Sequence, residues 1–489
     1  MRGRVSLSVG LSILGWLATP GVSEAQLPTD GGMRTVAAVI DEYVASGLAS
    51  NLALQEQTLE LERATAALDS ARARYFPQVD FAARYTRAEG GRQIEVPLAE
   101  ALNPVYTTLN ELLVADGRPG TFPQIEDRGF SLIREREQDT RLSVRQPLFA
   151  PAIPAAVRAS RNLLDASRYA RAAFARRLKR DISVAYLDWL AATKTTAIVQ
   201  SSLTLLDENL RVNDSLFRNG KITQDQVLRA RAELLAVTQQ LREAQNGVSQ
   251  ARSYLNFLLN RPLDGTLEHA AAGAELTAAA TDLALLRGAA LEQRPELEQL
   301  ASIQRASSEQ LRAARAARWP TLSLGADAGI QGTNYEFGSG RNFGTLSLLL
   351  NWALFDGGAR AAEVRRAGAD VRQARLQGEQ AASQIQLEVQ QALDRLLTAN
   401  DSLATAAARA DAAAAAFRIA ARKRDAGAIS QVEFIDARSS LTAAELNLNV
   451  TRFAVLARQA ELDYATASGS LPAALEPSCN RSRTGTPCR

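Results

Sequence analysis

Residues that carry chemistry are scarce in this chain. Its 489 residues include one histidine, His269, and two cysteines, Cys479 and Cys488. A nucleophilic triad needs a histidine beside its nucleophile. A metal centre needs more than two thiols. Neither a Gly-rich phosphate loop nor a metal-spaced cluster occurs in the sequence. The chain therefore reads as no enzyme, with no catalytic residue and no cofactor, and His269 as a solvent-exposed filler. Charge of one sign is also lacking. There are 56 Lys+Arg against 53 Asp+Glu, a net +3, so no basic excess points to nucleic acid. Pairs such as Arg176-Arg177 and Arg365-Arg366 read as solvated helix faces. Aromatics make up only 6%, which excludes a large aromatic core. Past the N-terminus no apolar run reaches the ~18 residues of a membrane-spanning helix.

The two ends are distinctive. Arg2 and Arg4 precede the apolar run Val5 to Leu17, and Ser23-Glu24-Ala25 places small residues before a cut after Ala25. This is the pattern of a secretory signal peptide over 1–25, and the run is too short for a membrane anchor. The tail, 470–489, is rich in Pro, Ser, Thr and Gly and reads as disordered. In an oxidising compartment Cys479 and Cys488 could bridge there; the other reading is an unpaired pair without function.

What is abundant is alanine mixed with Arg, Glu, Gln and Leu, the composition of long, closely packed helices. Ala155 to Asn219 contains no Pro and no Gly; as one helix it would reach roughly 100 Å. Gly220 ends it, and a second helix runs back over 222–260 to Arg261-Pro262. The same happens over 359–425, interrupted only by Gly368 and Gly378, then Gly427, then 429–467. Met33 to Tyr75 has helical period, with an interruption expected at Gly47 to Asn51. Leu283 to Arg318 is helical with a break at Arg294-Pro295. Between the helices the apolar period switches to two. Val79, Phe81, Ala83 and Tyr85 alternate with polar partners, as do Leu142 and Val144, and the second strand of this pair is expected to end at Pro147. Leu322 to Ile330 and Leu346 to Leu354 form a second alternating pair around a Gly-rich turn. Residues 88–138 read as an irregular polar loop, with a short helical turn at Leu109 to Val114.

This order occurs twice. Phe149 to Gly220 and Phe355 to Gly427 span 71 and 72 positions, and Gly220 to Pro262 and Gly427 to Gly469 both span 42. The chain divides into a first repeat, 26–262, with its hairpin at 79–149, a connector, 263–282, and a second repeat, 283–469, with its hairpin at 320–356. A strand of roughly 9–11 residues suits a tilted membrane span. A lone hairpin cannot enter lipid, because its edge N–H and C=O groups stay unpaired.

Ser50-Asn51-Leu52-Ala53-Leu54, Arg72 to Phe81, Arg294-Pro295-Glu296-Leu297, Trp319 to Leu324, Leu354-Phe355-Asp356-Gly357-Gly358 and the two Gly turns form an ordered set. In that set the chain resembles the TolC-type outer-membrane efflux proteins from Met33 to about Gly469. The resemblance implies a mainly α protein with a membrane β-barrel. It implies a homotrimer in which four strands per chain close a 12-stranded barrel in outer-membrane lipid, above a long α-helical barrel in the periplasm. It implies a passive exit duct that docks onto a periplasmic adaptor and, through it, an inner-membrane pump. The same fold serves type I secretion of polypeptides. A periplasmic coiled-coil scaffold is the reading from another class, and it leaves the duplicated hairpins unexplained.

Site residues follow from the resemblance. Counting from Gly427, Glu433 and Asp436 fall on the family's acidic gate positions and share a helix face. Six carboxylates in a trimer would favour and be plugged by cations. Where the family has a locking Arg two residues after this Gly, this chain has Ile429; Lys423 or Arg424 are its candidate replacements, with Asp225 and Gln226 as partners. Adaptor docking falls on the tips: Gly220, Lys221, Ile222 and Gln226, with Gly427, Ile429 and Ser430. Tyr85, Phe343, Trp352 and Phe355 are candidates for aromatic belts.

Overall fold

A computed structural model of the protein describes residues 34–91, 93–131, 133–270 and 282–476. The signal-peptide segment and both cysteines lie outside the described residues. Helices α1 (Val36–Ser50) and α2 (Leu52–Ala73) lead to strand β1 (Gln78–Arg87). Strand β2 (Gln93–Val96), helix α3 (Leu98–Ala115) and strand β3 (Arg128–Ser131) follow, then β4 (Arg136–Phe149). The long helix α4 (Ala152–Arg218) turns into α5 (Gln224–Leu258). After the connector come α6 (Leu283–Gln293), α7 (Pro295–Ala316), β5 (Thr321–Gly332), β6 (Asn342–Asn351), α8 (Ala359–Asp425) and α9 (Gln431–Ala465).

The duplication is metrical. Helices α2 and α7 have 22 residues each, α4 and α8 have 67, and α5 and α9 have 35. At 1.5 Å per residue α4 and α8 are each about 100 Å long. No helix among the described residues is long and apolar enough to cross a membrane.

Two buried clusters hold the middle of the long helices. In one, Val39 and Tyr43 of α1 pack with Ile182, Tyr186 and Trp189 of α4 and with Leu255 and Leu259 at the end of α5. In the other, Ile385, Val389, Leu393 and Leu396 of α8 pack with Val455 and Leu462 of α9. His269 is exposed, but its ring lies over Trp189, centroids 4.5 Å apart. Beside it the Tyr186 hydroxyl donates to the Glu268 carbonyl at 2.9 Å.

The interruption expected at Gly47 to Asn51 is found at Asn51, whose side chain caps Leu54 N–H at 3.1 Å and donates to the Leu258 carbonyl at 2.9 Å; several other boundaries differ from the sequence reading. Gly47 is a packing residue, not a breaker: a Cβ there would lie 2.3 Å from Ile182 Cδ1. The stretch 88–138 is not an irregular loop. It holds the two-stranded β2–β3 sheet and the 18-residue α3, which starts before Pro104 and carries that proline within it. Pro147 does not end β4; the strand passes through a register shift to Phe149. Its neighbour β1 has already ended at the Gln78↔Arg145 pair, so no ladder N–H is missed on that side. Strand β6 ends at Asn351, and Trp352 and Leu354 lie beyond it.

Where strand returns to helix, Asp356 makes the corner. Its carboxylate accepts Gly358 N–H at 3.1 Å, Arg360 N–H at 3.0 Å and Arg360 Nε at 2.6 Å. The Arg360 guanidinium and N–H hold this carboxyl below its ordinary range. Gly357 and Gly358 both have positive φ, +63° and +91°, which a Cβ would strain.

Gly47→Leu is expected to overpack the α1–α4–α5 junction and cost about 1–3 kcal/mol. The check is the denaturation midpoint, which falls while the slope stays constant.

Candidate functional site

The four strands β1, β4, β5 and β6 form one antiparallel sheet in the order β1-β4-β5-β6. Register decides its faces, because residues directly opposite each other share a side. Val79 sits opposite Val144, Val144 opposite Ala326, and Ala326 opposite Leu346. Phe81, Leu142 and Ala328 make the next row, and Leu324 with Leu348 another. The other face carries Asp80, Ser143 and Asp327 in one row and Arg84, Asp139 and Gln331 in a second. Ion pairs and hydrogen bonds link that polar face. Asp139 is held by Arg141 and lies 3.8 Å from Arg84, and Ser143 donates to Asp327 at 2.5 Å. Gly329 permits the close approach of β4 and β5, since a Cβ there would stand 2.2 Å from the Thr140 carbonyl oxygen.

The apolar face is bare. Phe81 is 71% exposed and Leu346 75%. A contiguous exposed apolar sheet opposite a charged one is the alternation of a lipid-facing barrel wall. At the helix end of the sheet Tyr75, Phe76, Phe149, Trp319, Trp352 and Phe355 are all exposed, as in an aromatic girdle. Four of these six, Tyr75, Phe76, Phe149 and Trp319, were not among the belt candidates read from the sequence. Tyr85 lies on the apolar face, in the Val79 and Phe81 parity. Phe343 does not: it sits on the polar face with the Arg141 guanidinium 5.9 Å from its ring.

At the far end of the long helices the two turns are built alike. Gly220 and Gly427 both have φ +67°. Lys221 N–H bonds back to Leu216 O at 2.9 Å and Ala428 N–H to Lys423 O at 2.8 Å, the six-to-one closure that favours a left-handed glycine. Ile222 and Ile429 are half-buried behind them. The returning helices then start differently. Ser430 and Glu433 form a reciprocal capping box, Glu433 N–H to Ser430 Oγ at 3.3 Å and Ser430 N–H to Glu433 Oε2 at 3.2 Å. Thr223 has the same sequence spacing to Gln226, but its hydroxyl donates to Asp225 instead. Asp436, one turn beyond Glu433, is exposed.

Among the described residues Arg424 forms no ion pair with Asp225, Glu433 or Asp436; it stacks on a ring instead. Its guanidinium lies 4.2 Å from the centroid of Phe434, whose ring meets Phe417 at 5.6 Å. Arg438 closes the stack from below, 5.4 Å from the Phe417 ring and 3.4 Å from Ser202 Oγ. Burial pulls the Arg438 guanidinium below its ordinary value, and Glu445 opposes this. Phe417, Phe434 and Arg438 escaped the sequence reading; the signal was there in Phe417, a lone aromatic after the run Ala412 to Ala416. A cleft of about 590 Å³ opens beside the stack, lined by Glu208, Asn209, Phe417, Arg424, Asp425 and Phe434. Asn209 is 1% exposed, and neither of its side-chain polar atoms has a protein partner.

A family profile described as outer membrane efflux protein matches residues 44–261 and 286–468. The chain is similar in structure to the Campylobacter jejuni CmeC outer membrane channel, at 17% identity and TM-score 0.74, covering 95% of this chain and 95% of that one. It is similar to the outer-membrane channel OprN, at 19% identity and TM-score 0.71, covering 88% and 90%. It is also similar to the outer membrane protein VceC of Vibrio cholerae, at 18% identity and TM-score 0.70, covering 88% and 97%. A comparison with curated proteins finds no sequence match. At these identities the structural likeness is one of fold.

Because Ser430 closes the first turn of α9, Ser430→Ala is expected to cost about 1 kcal/mol. Hydrogen exchange reads it as faster opening confined to the first turn of α9, with the matching turn of α5 unchanged.

Proposed function

The chain belongs to the outer membrane efflux protein family, and from that premise we propose how its parts work as a duct. It is an outer-membrane efflux channel and not an enzyme. Three copies close one 12-stranded barrel, and the observation that carries this is the sheet itself. Its edge strands β1 and β6 both have ten residues and run in opposite directions, so β1 of one copy can pair with β6 of the next along its whole length. The apolar rows then face lipid, and the Asp80–Ser143–Asp327 and Arg84–Asp139–Gln331 rows line a wet lumen. Helices about 100 Å long carry the lumen across the periplasm to the Gly220 and Gly427 turns.

Those turns are the end that meets a periplasmic adaptor, and through it an inner-membrane pump. Gly220, Lys221, Ile222, Gly427, Ile429 and Ser430 form the presented tips. Glu433 and Asp436 of three copies make an acidic constriction that favours cations and is blocked by multivalent ones. Arg424, packed on Phe434, locks α8 to α9 by cation–π contact in place of the arginine lock that Ile429 replaces.

Fractionation tests the assembly. The protein is expected with outer membranes as a trimer that survives an unheated gel; recovery as a soluble monomer would overturn the duct. For the constriction, Glu433→Gln with Asp436→Asn removes charge while Gln keeps the capping bond. Planar-bilayer recordings are expected to show weaker block by multivalent cations, and unchanged block would remove the assignment. Gly427→Trp, forced into a positive φ at the tip, is expected to abolish pump-dependent efflux while trimers persist; normal efflux would exclude tip docking.

A further inference from the structure

Helix α3 stands on the β1–β4 hairpin and has no buried residue. One of its sides is pinned. Asn103 Nδ2 donates to Ile125 O and its Oδ1 accepts Ile125 N–H, both at 2.8 Å. Seven residues on, Asn110 Nδ2 donates to Phe122 O at 2.7 Å and Oδ1 accepts Phe122 N–H at 3.0 Å. Tyr106 stacks on Phe122 between them, centroids 5.4 Å apart. Two amide clamps on one side fix which side is left outward. That outward side carries Leu98, Leu102, Val105, Leu109 and Leu112. At 100° per residue they fall within an arc of roughly 80°. Val105 is 51% exposed and Leu112 62%. Leu102 is half-buried, and the other four residues of the stripe are held outward and exposed among the described residues.

A lipid surface is a poor occupant. Helices that lie on membranes are rich in Lys and Arg on the polar side; between 98 and 115 this chain has neither, and its charges are Glu100 and Glu111. Position favours another copy. The stripe is rooted at the end of β1, an open edge of the sheet. The duct reading puts β6 of the next copy about 4.8 Å from that edge. The loop leading into β6 carries Tyr335 and Phe337, 56% and 82% exposed in their own chain. So α3 leaves its own aromatic loop uncovered, and the corresponding loop of the adjacent copy stands beside the β1 edge.

We propose that α3 is a subunit clasp: its Leu98–Leu102–Val105–Leu109–Leu112 stripe packs on Tyr335 and Phe337 of the neighbouring copy, and three such contacts form a collar around the outer mouth of the barrel. The proposal rests on the trimeric duct reading and adds to it the part that the inserted segment plays.

The test uses the full chain in outer membranes, with Cys479→Ser and Cys488→Ser as background. Leu109→Cys and Phe337→Cys are combined and oxidised, and the product is run on a denaturing gel. Cross-linked dimers and trimers are expected, absent from either single variant. An unheated gel of the same sample reports assembly independently. If trimers assemble and the link stays within one chain, or no link forms, the clasp is overturned while the duct stands. If no trimer assembles in the unoxidised background protein, the duct reading falls and the clasp with it. In a second arm, Leu102→Ser with Val105→Ser is expected to lower the temperature at which unheated trimers dissociate; an unchanged temperature counts against the clasp. A fluorophore at Leu109→Cys quenched by brominated lipid would instead assign the stripe to the membrane and overturn the proposal.

Discussion

Every part of this architecture answers to the unpaired backbone of two strands. In the four-stranded sheet β4 and β5 have neighbours on both sides, while β1 and β6 each present one row of N–H and C=O groups to nothing. In lipid such a row costs several kcal/mol per group. The side chains do not allow the sheet to stay in water either, because one face exposes Val79, Phe81, Leu142, Leu346, Leu348 and Leu350. Closure into a ring would satisfy both demands together, and the proposed lumen, seam between copies and clasp at the outer mouth all follow from that step.

The helices solve a different problem, that of length. A helix of 67 residues has too many turns to be held by its ends, so it is held at the middle. There the short helices α1 and α6, the capped break at Asn51 and the break at Arg294 add a third layer around α4 and α8. Arg294 shows how firmly: it is 5% exposed, bonded to Glu296 at 3.0 Å and Glu388 at 3.2 Å, with Tyr464 4.7 Å from its guanidinium. Toward the turns the packing thins to smaller contacts such as the Arg424–Phe434–Phe417–Arg438 stack and the cleft beside Asn209. An end held by fewer buried groups is the end that can move at least cost.

Much of this was legible in the residues. Helix period, the proline-free run Ala155 to Asn219 and the glycines at 220 and 427 mark the long hairpins, because those signals are local and repeat every turn. Strand alternation marks the sheet for the same reason. The misreadings share a cause as well. Within the interruption expected at Gly47 to Asn51, the role of Gly47 as a packing residue shows only when Ile182, 135 positions away, is seen against it. Pro97 and Pro104 hide α3: Pro97 is its N-cap, where a proline costs no helical hydrogen bond, but Pro104 lies within the helix, where local rules predict a break. The capping role of Glu433, whose carboxylate closes the first turn of α9, is seen only in the structure. Phe343 alternates as a belt residue would, yet register puts it beside Arg141.

By itself, then, the order of residues determined the long helices, the two hairpins, their duplication and which side of each strand avoids water, since these depend on neighbours within a turn or a pleat; it did not determine the elements of the 88–138 insertion. The tertiary structure alone decided which strand lies at an edge, which glycine is a hinge and which a point of contact, which arginine stacks on which ring, and which side of α3 is turned outward. Those facts depend on groups tens to hundreds of positions apart in the chain, and no local pattern encodes a distance that exists only after folding.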